Sequence, residues 1–381
     1  MAKRIRIVLA GGGTGGHVYP LIAVAGALQE QAKAAGIDLQ LHYYGSNDRF
    51  RIDLERQGIK FHSLLTGKLR RYASILTIID IPKIFLGFIQ ALFKLYGLMP
   101  DVIFSKGGPG ALPIVLAGWF YKIPVVIHES DSIPGLTTLA SARFAKKIAL
   151  SFEQTAPYFS PKKVILAGNP IRQELLTGRL SQEESKRKLG FDPAKPLLFV
   201  TGGSQGASRL NEFVVLNLDT ILPLIQILHQ TGPDNFIEIK KLAEAEIVGL
   251  PTSVSTQSRY ESLGYMDVEQ TRDALAAADI VLARAGSGSI FEAAAFAKPV
   301  ILVPLASAAR DHQNENAQVF AQAGGGITIE EPNLNINIFL SELNKILGGA
   351  GVIQALSQAS AAFAKPDAAQ VVATAVLEMA L

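Results

Sequence analysis

The stretch GGGTGGHVYP, residues 11–20, sets five glycines and Thr14 beside one imidazole, His17. Bare glycine backbone allows φ > 0 and lets a ligand come close to N–H groups. Where such a stretch opens a helix, those N–H groups and the positive end of the helix dipole favour a phosphate. Histidine is by its ordinary pKa suited to act as a base, so His17 can take the proton of an attacking hydroxyl; it can equally order the loop or donate to a phosphate. A second glycine stretch, GGSQGA (202–207), carries Ser204. A third run of small residues, RAGSGSIFE (284–292), carries Ser287, Gly288, Ser289, Ile290, Phe291 and Glu292. A carboxylate placed as Glu292 is can accept two hydrogen bonds from a ribose diol, or simply favour the start of its helix. Neither glycine loop ends in the Gly-Lys-Ser/Thr of a P-loop. The run after the first loop, LQLHYYGS, ends without the acidic residue that a nicotinamide dinucleotide site places there. A diphosphate ligand of another kind is the reading these loops favour.

Such loops need strands and helices to aim them. Residues 5–10 form a short run rich in β-branched side chains, and 21–29 have helical composition, so strand, glycine loop and helix follow one another. Apolar runs recur at 39–44, 102–104, 125–128, 147–150 and 164–167, with helix-compatible segments between most of them. This predicts a parallel sheet covered on both faces. The pattern restarts at PLLFVTGGSQGASRLNEFVVLNL (196–218) and continues with runs at 225–229, 262–266, 280–283 and 300–303. The expected fold is α/β: two doubly wound, Rossmann-like domains facing across a cleft, over 1–168 and 169–354, with a helix at about 355–381 returning to the first. The 381 residues suffice for two such domains. There is no cysteine, which excludes disulfides, thiolate metal sites and cysteine nucleophiles. A net charge of +3 is far short of a nucleic-acid footprint, so no nucleic-acid partner is expected.

Six motifs occur in order: GGGTGGHVYP, HESDSIPGL, GNPIR, GGSQGA, RAGSGSIFEAAAFAKPVILVP and DHQNENA. Together they extend from residue 5 to about 330, and in this combination the chain resembles the MurG family, the N-acetylglucosaminyltransferases of peptidoglycan synthesis. The resemblance implies the GT-B fold. It also implies inverting transfer of GlcNAc from UDP-GlcNAc to the 4-hydroxyl of MurNAc in undecaprenyl-diphosphate-MurNAc-pentapeptide (lipid I), giving lipid II. It places Thr14, Gly15 and Gly16 near the donor sugar and the acceptor diphosphate, and Ser204 on the donor diphosphate. Arg172, in GNPIR, would also reach the donor, or else form an interdomain salt bridge. The backbone at Met266 would meet the uracil, Ser287 to Glu292 would hold the nucleotide with Glu292 on the ribose, and Gln313 would bond the GlcNAc hydroxyls. Many members carry Asn where this chain has Asp131; an ionised Asp only accepts hydrogen bonds, which alters that one sugar contact. His17 is the candidate base, and Glu129 the second candidate, or a plain strand-end carboxylate. Residues 129–132, Glu-Ser-Asp-Ser, do not supply the Asp-X-Asp pair that holds a metal–diphosphate elsewhere, and neither a metal nor a cofactor is expected.

A lipid-linked acceptor asks for a membrane-facing surface. Residues 68–99 are strongly apolar but interrupted, with no run of the ~20 residues a spanning helix needs. On a helical wheel Lys83, Gly87, Gln90 and Lys94 form a narrow polar stripe. The expectation is an amphipathic helix lying on an anionic membrane with its lysines snorkelling, aided by Lys68, Arg70 and Arg71. A sheet-covering helix with one wet edge is the alternative. The N-terminal apolar run is too short for a signal peptide, so the expected location is peripheral, on the cytoplasmic side of the cell membrane. The rival readings are a transferase with another acceptor, a UDP-GlcNAc 2-epimerase, and a non-catalytic nucleotide-sugar-binding subunit.

Overall fold

The computed structural model describes residues 3–12, 14–46, 50–67, 75–108, 110–203, 205–250 and 260–381. The chain divides into two units, Met1–Gln173 with Lys365–Leu381, and Glu174–Ala364. Among the described residues the first unit holds strands β1 (Arg4–Gly11), β2 (Asp38–Gly45), β3 (Lys60–Ser63), β4 (Val102–Ser105), β5 (Val125–Glu129), β6 (Lys147–Leu150) and β7 (Val164–Leu166). They form one sheet in the order β3-β2-β1-β4-β5-β6-β7, every pairing parallel. The second unit holds β8 (Leu197–Thr201), β9 (Gln226–Gln230), β10 (Tyr260–Leu263), β11 (Ile280–Ala283), β12 (Val300–Leu302) and β13 (Gly326–Thr328), in the order β10-β9-β8-β11-β12-β13, again parallel throughout. Parallel strands sit under helices on both faces and so read as unbroken apolar runs; Val102, Ile103 and Phe104 of β4 are fully buried, although their side chains alternate between two cores.

The helix after β1 is Gly15–Ala34, not a helix that waits until residue 21. Its first turn forms inside the glycine stretch, because the Thr14 carbonyl already accepts the N–H groups of His17 (3.0 Å) and Val18 (3.2 Å). At the other end of the chain, the helix expected over 355–381 is two helices. Ala350–Phe363 belongs to the second unit, and Ala368–Ala380 packs in the first, on Gly15–Ala34. Pro366 explains the break, since proline cannot continue a helical hydrogen-bond ladder. The last helix places Val372, Ala373 and Val376 in the same core as Leu21, Val24 and Leu28.

The apolar helix of the first unit, Ile75–Leu98, corrects the expectation for its polar stripe. Gly87 is buried, and a Cβ there would lie 2.2 Å from the Leu65 carbonyl oxygen. Gln90 Oε1 accepts from the Leu65 N–H at 2.9 Å, and Lys94 Nζ donates to the Ser63 carbonyl at 2.5 Å. The stripe therefore faces the protein. The reason lies in β3, the edge strand, whose exit leaves backbone groups that must find partners. Desolvation at this position lowers the Lys94 pKa. Of the four stripe residues only Lys83 is exposed. Lys68, Arg70 and Arg71 lie outside the described residues. The face turned to solvent is apolar and aromatic, with Phe85, Leu86, Phe93 and Tyr96 exposed, joined by Trp119 and Phe120 of the helix Ala111–Phe120 that packs beside it. No single described helix is long and apolar enough to cross a membrane.

Candidate functional site

In the first unit the chain runs from β1 outward through β2 and β3, then returns to β4 on the other side. The adjoining ends of β1 and β4 are thus a topological switch point, where open α/β sheets bind ligands. Two glycine loops meet there. A Cβ on Gly108 would lie 2.6 Å from the Gly12 carbonyl oxygen and 3.5 Å from His17 Cδ2, and Gly108 has φ +86°. Only glycine fits this approach. Thr14 and Gly16 are exposed, Gly15 is buried and His17 is half-buried. Thr14 Oγ1 stands 3.1 Å from His17 Nδ1. If Nδ1–H donates to the hydroxyl, Nε2 keeps a lone pair and can take a proton; with the other tautomer Nε2–H can only donate. Thr14 therefore bears directly on which role His17 fills.

Lys106 follows β4, is 2% exposed, and its Nζ has no hydrogen-bond partner. Burial lowers its pKa, against the pull of Glu129 and Asp131. At the end of β5, the Glu129 carboxylate accepts N–H bonds from Ser130 (2.8 Å), Asp131 (3.1 Å) and Gly135 (3.0 Å). These clamp the loop 130–135 and occupy the carboxylate. Desolvation, then repulsion from Asp131, raises the Glu129 pKa. Asp131 is half-buried, and its carbonyl accepts from Thr155 Oγ1 at 2.9 Å. The Arg172 guanidinium lies 4.2 Å over the ring of Tyr19 from the first helix, so it sits on this unit as a stacked cation.

The second unit repeats the arrangement at β8 and β11, its own switch point. After β8, Gly203 and Gly206 have φ of +80° and +77°, and a Cβ on Gly206 would lie 2.0 Å from the Thr231 carbonyl oxygen. The Gly203 N–H donates to Thr201 Oγ1 at 3.0 Å. Ser204 lies outside the described residues. After β11, helix Ser287–Ala295 starts from Gly286, whose carbonyl accepts the first helical bond from the Ile290 N–H. The N–H groups of Ser287, Gly288 and Ser289 precede that bond, at the end of the helix that suits an anion. Ile290 and Phe291 put their side chains into the core and can offer a ligand only backbone; Glu292 is half-buried. Beneath this loop Arg284 and Glu331 form a buried ion pair. Arg284 Nη1 also donates to the Val303 carbonyl at 3.2 Å, and the Ala306 N–H donates to Glu331 at 3.2 Å.

Gln313 is in the first turn of helix His312–Gln322, reached through Arg310 and Asp311 in left-handed conformations (φ 61° and 59°). Its Oε1 accepts from the Leu305 N–H at 2.9 Å. The same helix sends Asn316 Nδ2 to the Ala285 carbonyl at 3.2 Å, which ties Gln313 to the Ser287–Glu292 loop. Met266, just past edge strand β10, is buried in the core cluster that holds Ala285 and Ile290, so its own offering is backbone. Among the described residues no three His, Asp or Glu side chains gather as a metal ion would need. The sequence reading passed over Lys106, Gly107 and Gly108. The segment VIFSKGGPGALP (102–113) carries the same strand, glycine and helix succession as the first loop and could have disclosed them.

Residues 7–150 match the Glycosyltransferase family 28 N-terminal domain and residues 197–372 its C-terminal domain. A Bacillus cereus UDP-N-acetylglucosamine–N-acetylmuramyl-(pentapeptide) pyrophosphoryl-undecaprenol N-acetylglucosamine transferase is 36% identical over 343 residues, 90% of this chain and 91% of that protein. A protein of the same name from Lachnoclostridium phytofermentans is 38% identical, covering 90% of each chain. Among solved structures, Acinetobacter baumannii MurG aligns with a TM-score of 0.72 at 24% identity, over 98% of this chain and 99% of that one. A Neisseria meningitidis UDP-GlcNAc 2-epimerase bound to UDP-GlcNAc aligns with a TM-score of 0.68 at 13% identity, over 98% and 100%. These two structural likenesses speak to the fold.

Proposed function

We propose, because this chain belongs to the MurG family of UDP-N-acetylglucosamine–N-acetylmuramyl-(pentapeptide) pyrophosphoryl-undecaprenol N-acetylglucosamine transferases, that it is an inverting hexosyltransferase moving GlcNAc from UDP-GlcNAc to the 4-hydroxyl of MurNAc in lipid I, forming lipid II. The observation that carries this reading is the doubled switch point: each unit brings two glycine or small-residue loops to the carboxyl ends of its central strands, one set for each diphosphate-bearing substrate. The second unit takes the donor. Ser287, Gly288 and Ser289 offer N–H groups to the diphosphate, joined by Ser204, and Glu292 accepts from the ribose diol. The backbone at Met266 meets the uracil, and the Gln313 amide serves the GlcNAc hydroxyls, its Oε1 being held by Leu305. The first unit takes the acceptor, with Thr14, Gly15 and Gly16 facing diphosphate and sugar. Arg172, stacked on Tyr19 in the first unit, supplies the charge that reaches toward the donor, and Asp131 accepts from a sugar hydroxyl.

In the transfer the MurNAc O4 attacks the anomeric carbon as the bond to the UDP phosphate oxygen breaks. UDP leaves with the electron pair, and its growing charge is stabilised by the helix start at Ser287. His17 Nε2 takes the hydroxyl proton, its tautomer set by Nδ1–H donating to Thr14. Glu129 is the weaker candidate for this role because three backbone N–H groups already hold its carboxylate. The exposed aromatic face of Phe85, Phe93, Tyr96, Trp119 and Phe120 supports docking on a membrane surface, where a polyprenyl-linked acceptor resides. We place the protein peripherally on the cytoplasmic side, held by apolar insertion rather than by Lys94. The test is incubation with labelled UDP-GlcNAc and a lipid I analogue: one UDP released per GlcNAc transferred is expected, and UDP release without labelled acceptor would overturn the reading.

A further inference from the structure

Lys106 is a buried cation without a bonded anion, at the switch point where the loops after β1 and β4 meet. It stands at the end of β4, and its Cβ lies 3.7 Å from where a Cβ on Gly11 would be, so it adjoins the end of β1. Along β4, Val102 and Phe104 pack into the core beneath the 20-residue helix Gly15–Ala34; Lys106 continues that alternation. The N-terminal end of that helix is therefore close, and it too is positive. The carboxylates nearest in the electrostatic field are Glu129 and Asp131, but Glu129 is taken up by the N–H groups of the 130–135 loop. Neither bonds the ammonium. A buried ammonium left this way opposes folding.

We propose that Lys106 is a positioning residue for the acceptor: the fixed positive charge of a diphosphate subsite formed by the loops after β1 and β4. The inference rests on the transferase reading above and adds a residue to it. Nζ is sealed beneath the two loops, so it acts through its field, which a low-dielectric surrounding transmits over several ångströms. Gly107 and Gly108, with φ of +80° and +86°, keep the backbone above it bare, so that a phosphoryl oxygen can approach. The charge counts most for a ligand carrying two phosphates, and so discriminates between acceptors.

The experiment compares Lys106→Met and Lys106→Arg with the unaltered full chain, on two acceptors at saturating UDP-GlcNAc. One is a short-chain diphosphate-linked MurNAc-pentapeptide, the other its monophosphate-linked counterpart. The unaltered chain should favour the diphosphate acceptor by about tenfold or more in kcat/KM. Lys106→Met should raise KM for the diphosphate acceptor about tenfold, change kcat little, and raise KM for the singly charged monophosphate acceptor only about threefold. Lys106→Arg should keep the preference. The Lys106→Met chain should also melt at a higher temperature, since an unbonded buried charge is gone. Equal losses on both acceptors, no loss on either, or a Lys106→Met chain that melts lower or fails to fold would each overturn the proposal and make Lys106 a structural cation. If the unaltered chain glycosylates neither acceptor, the transferase reading falls and this inference with it; transfer without diphosphate preference overturns the inference alone.

Discussion

Replacing Phe93 and Tyr96 together by serine should detach the protein from lipid without unfolding it. These side chains are 75% and 69% exposed, on the outer face of helix Ile75–Leu98. An aromatic side chain offers roughly 200 Å², so about 150 Å² of Phe93 and about 140 Å² of Tyr96 are available to a partner. At about 25 cal/mol per Å² the ceiling is roughly 3.5 kcal/mol for each. Interfacial helices sink only partway into the headgroup region, and half-immersion gives about 2 kcal/mol apiece, or 4 together. That is between about a hundredfold and a thousandfold in partition coefficient, measured by sedimentation with anionic liposomes. The melting temperature should hardly move, because neither side chain is buried in the fold. Lys94→Gln is the counter-perturbation. It removes the donor to the Ser63 carbonyl and should lower the melting temperature, while the folded variant binds liposomes as before. A Lys94→Gln protein that melts normally but leaves the liposomes would refute this account and restore the snorkelling lysine.

Glu292→Ala should weaken UDP-GlcNAc binding by roughly 1.5–3 kcal/mol, about tenfold to over a hundredfold, by titration calorimetry; unchanged affinity removes Glu292 from the ribose. His17→Gln should lower kcat by about 10²–10⁴-fold with donor affinity kept, and Thr14→Val should reduce kcat in the same direction by freeing the wrong tautomer; near-normal turnover by His17→Gln excludes the base role. Glu331→Ala strands the buried Arg284 guanidinium and should cost about 3–5 kcal/mol in denaturant unfolding, whereas a loss under 1 kcal/mol would mean that the pair is solvated. His42, whose Nδ1 lies 3.0 Å from His62 Nε2, is held to a pKa of about 4 from an ordinary 6.5, first by burial and then by the charge of His62. The unfolded chain therefore binds the extra proton first. The stability this residue contributes is complete above about pH 6.5 and is lost as the pH falls toward 4. Melting curves across that range should show a decline that His42→Phe removes.

The strand pattern was legible because parallel strands buried on both faces are short apolar runs, and all ten runs beyond the first strand, the restart at β8 among them, coincide with or overlap observed strands. Two strands escaped. β3, KFHS, is half-polar because it is an edge, and β13, Gly326–Thr328, is too short to show a period. The glycine loops announced themselves through composition, yet Lys106 did not, since one lysine after a strand looks like any other until its burial is known. Polarity along helix Ile75–Leu98 was read correctly, but a wheel cannot say on which side the protein lies. Here the wet-looking stripe is consumed by the backbone of an edge strand. The sequence left open whether Ile290 and Phe291 would act through side chain or backbone; their burial limits them to backbone, and the burial of Met266 agrees with the backbone role expected of it.

The central claim is a group transfer with inversion, and the product's anomeric configuration tests it most directly. Purified chain, UDP-GlcNAc and a lipid I analogue should yield a disaccharide whose new bond is a β-linkage to O4 of MurNAc. Proton NMR of the isolated product should show the large diaxial coupling of that anomer. Free N-acetylmannosamine with UDP, which a 2-epimerase would give, or an α-linked disaccharide would contradict the account.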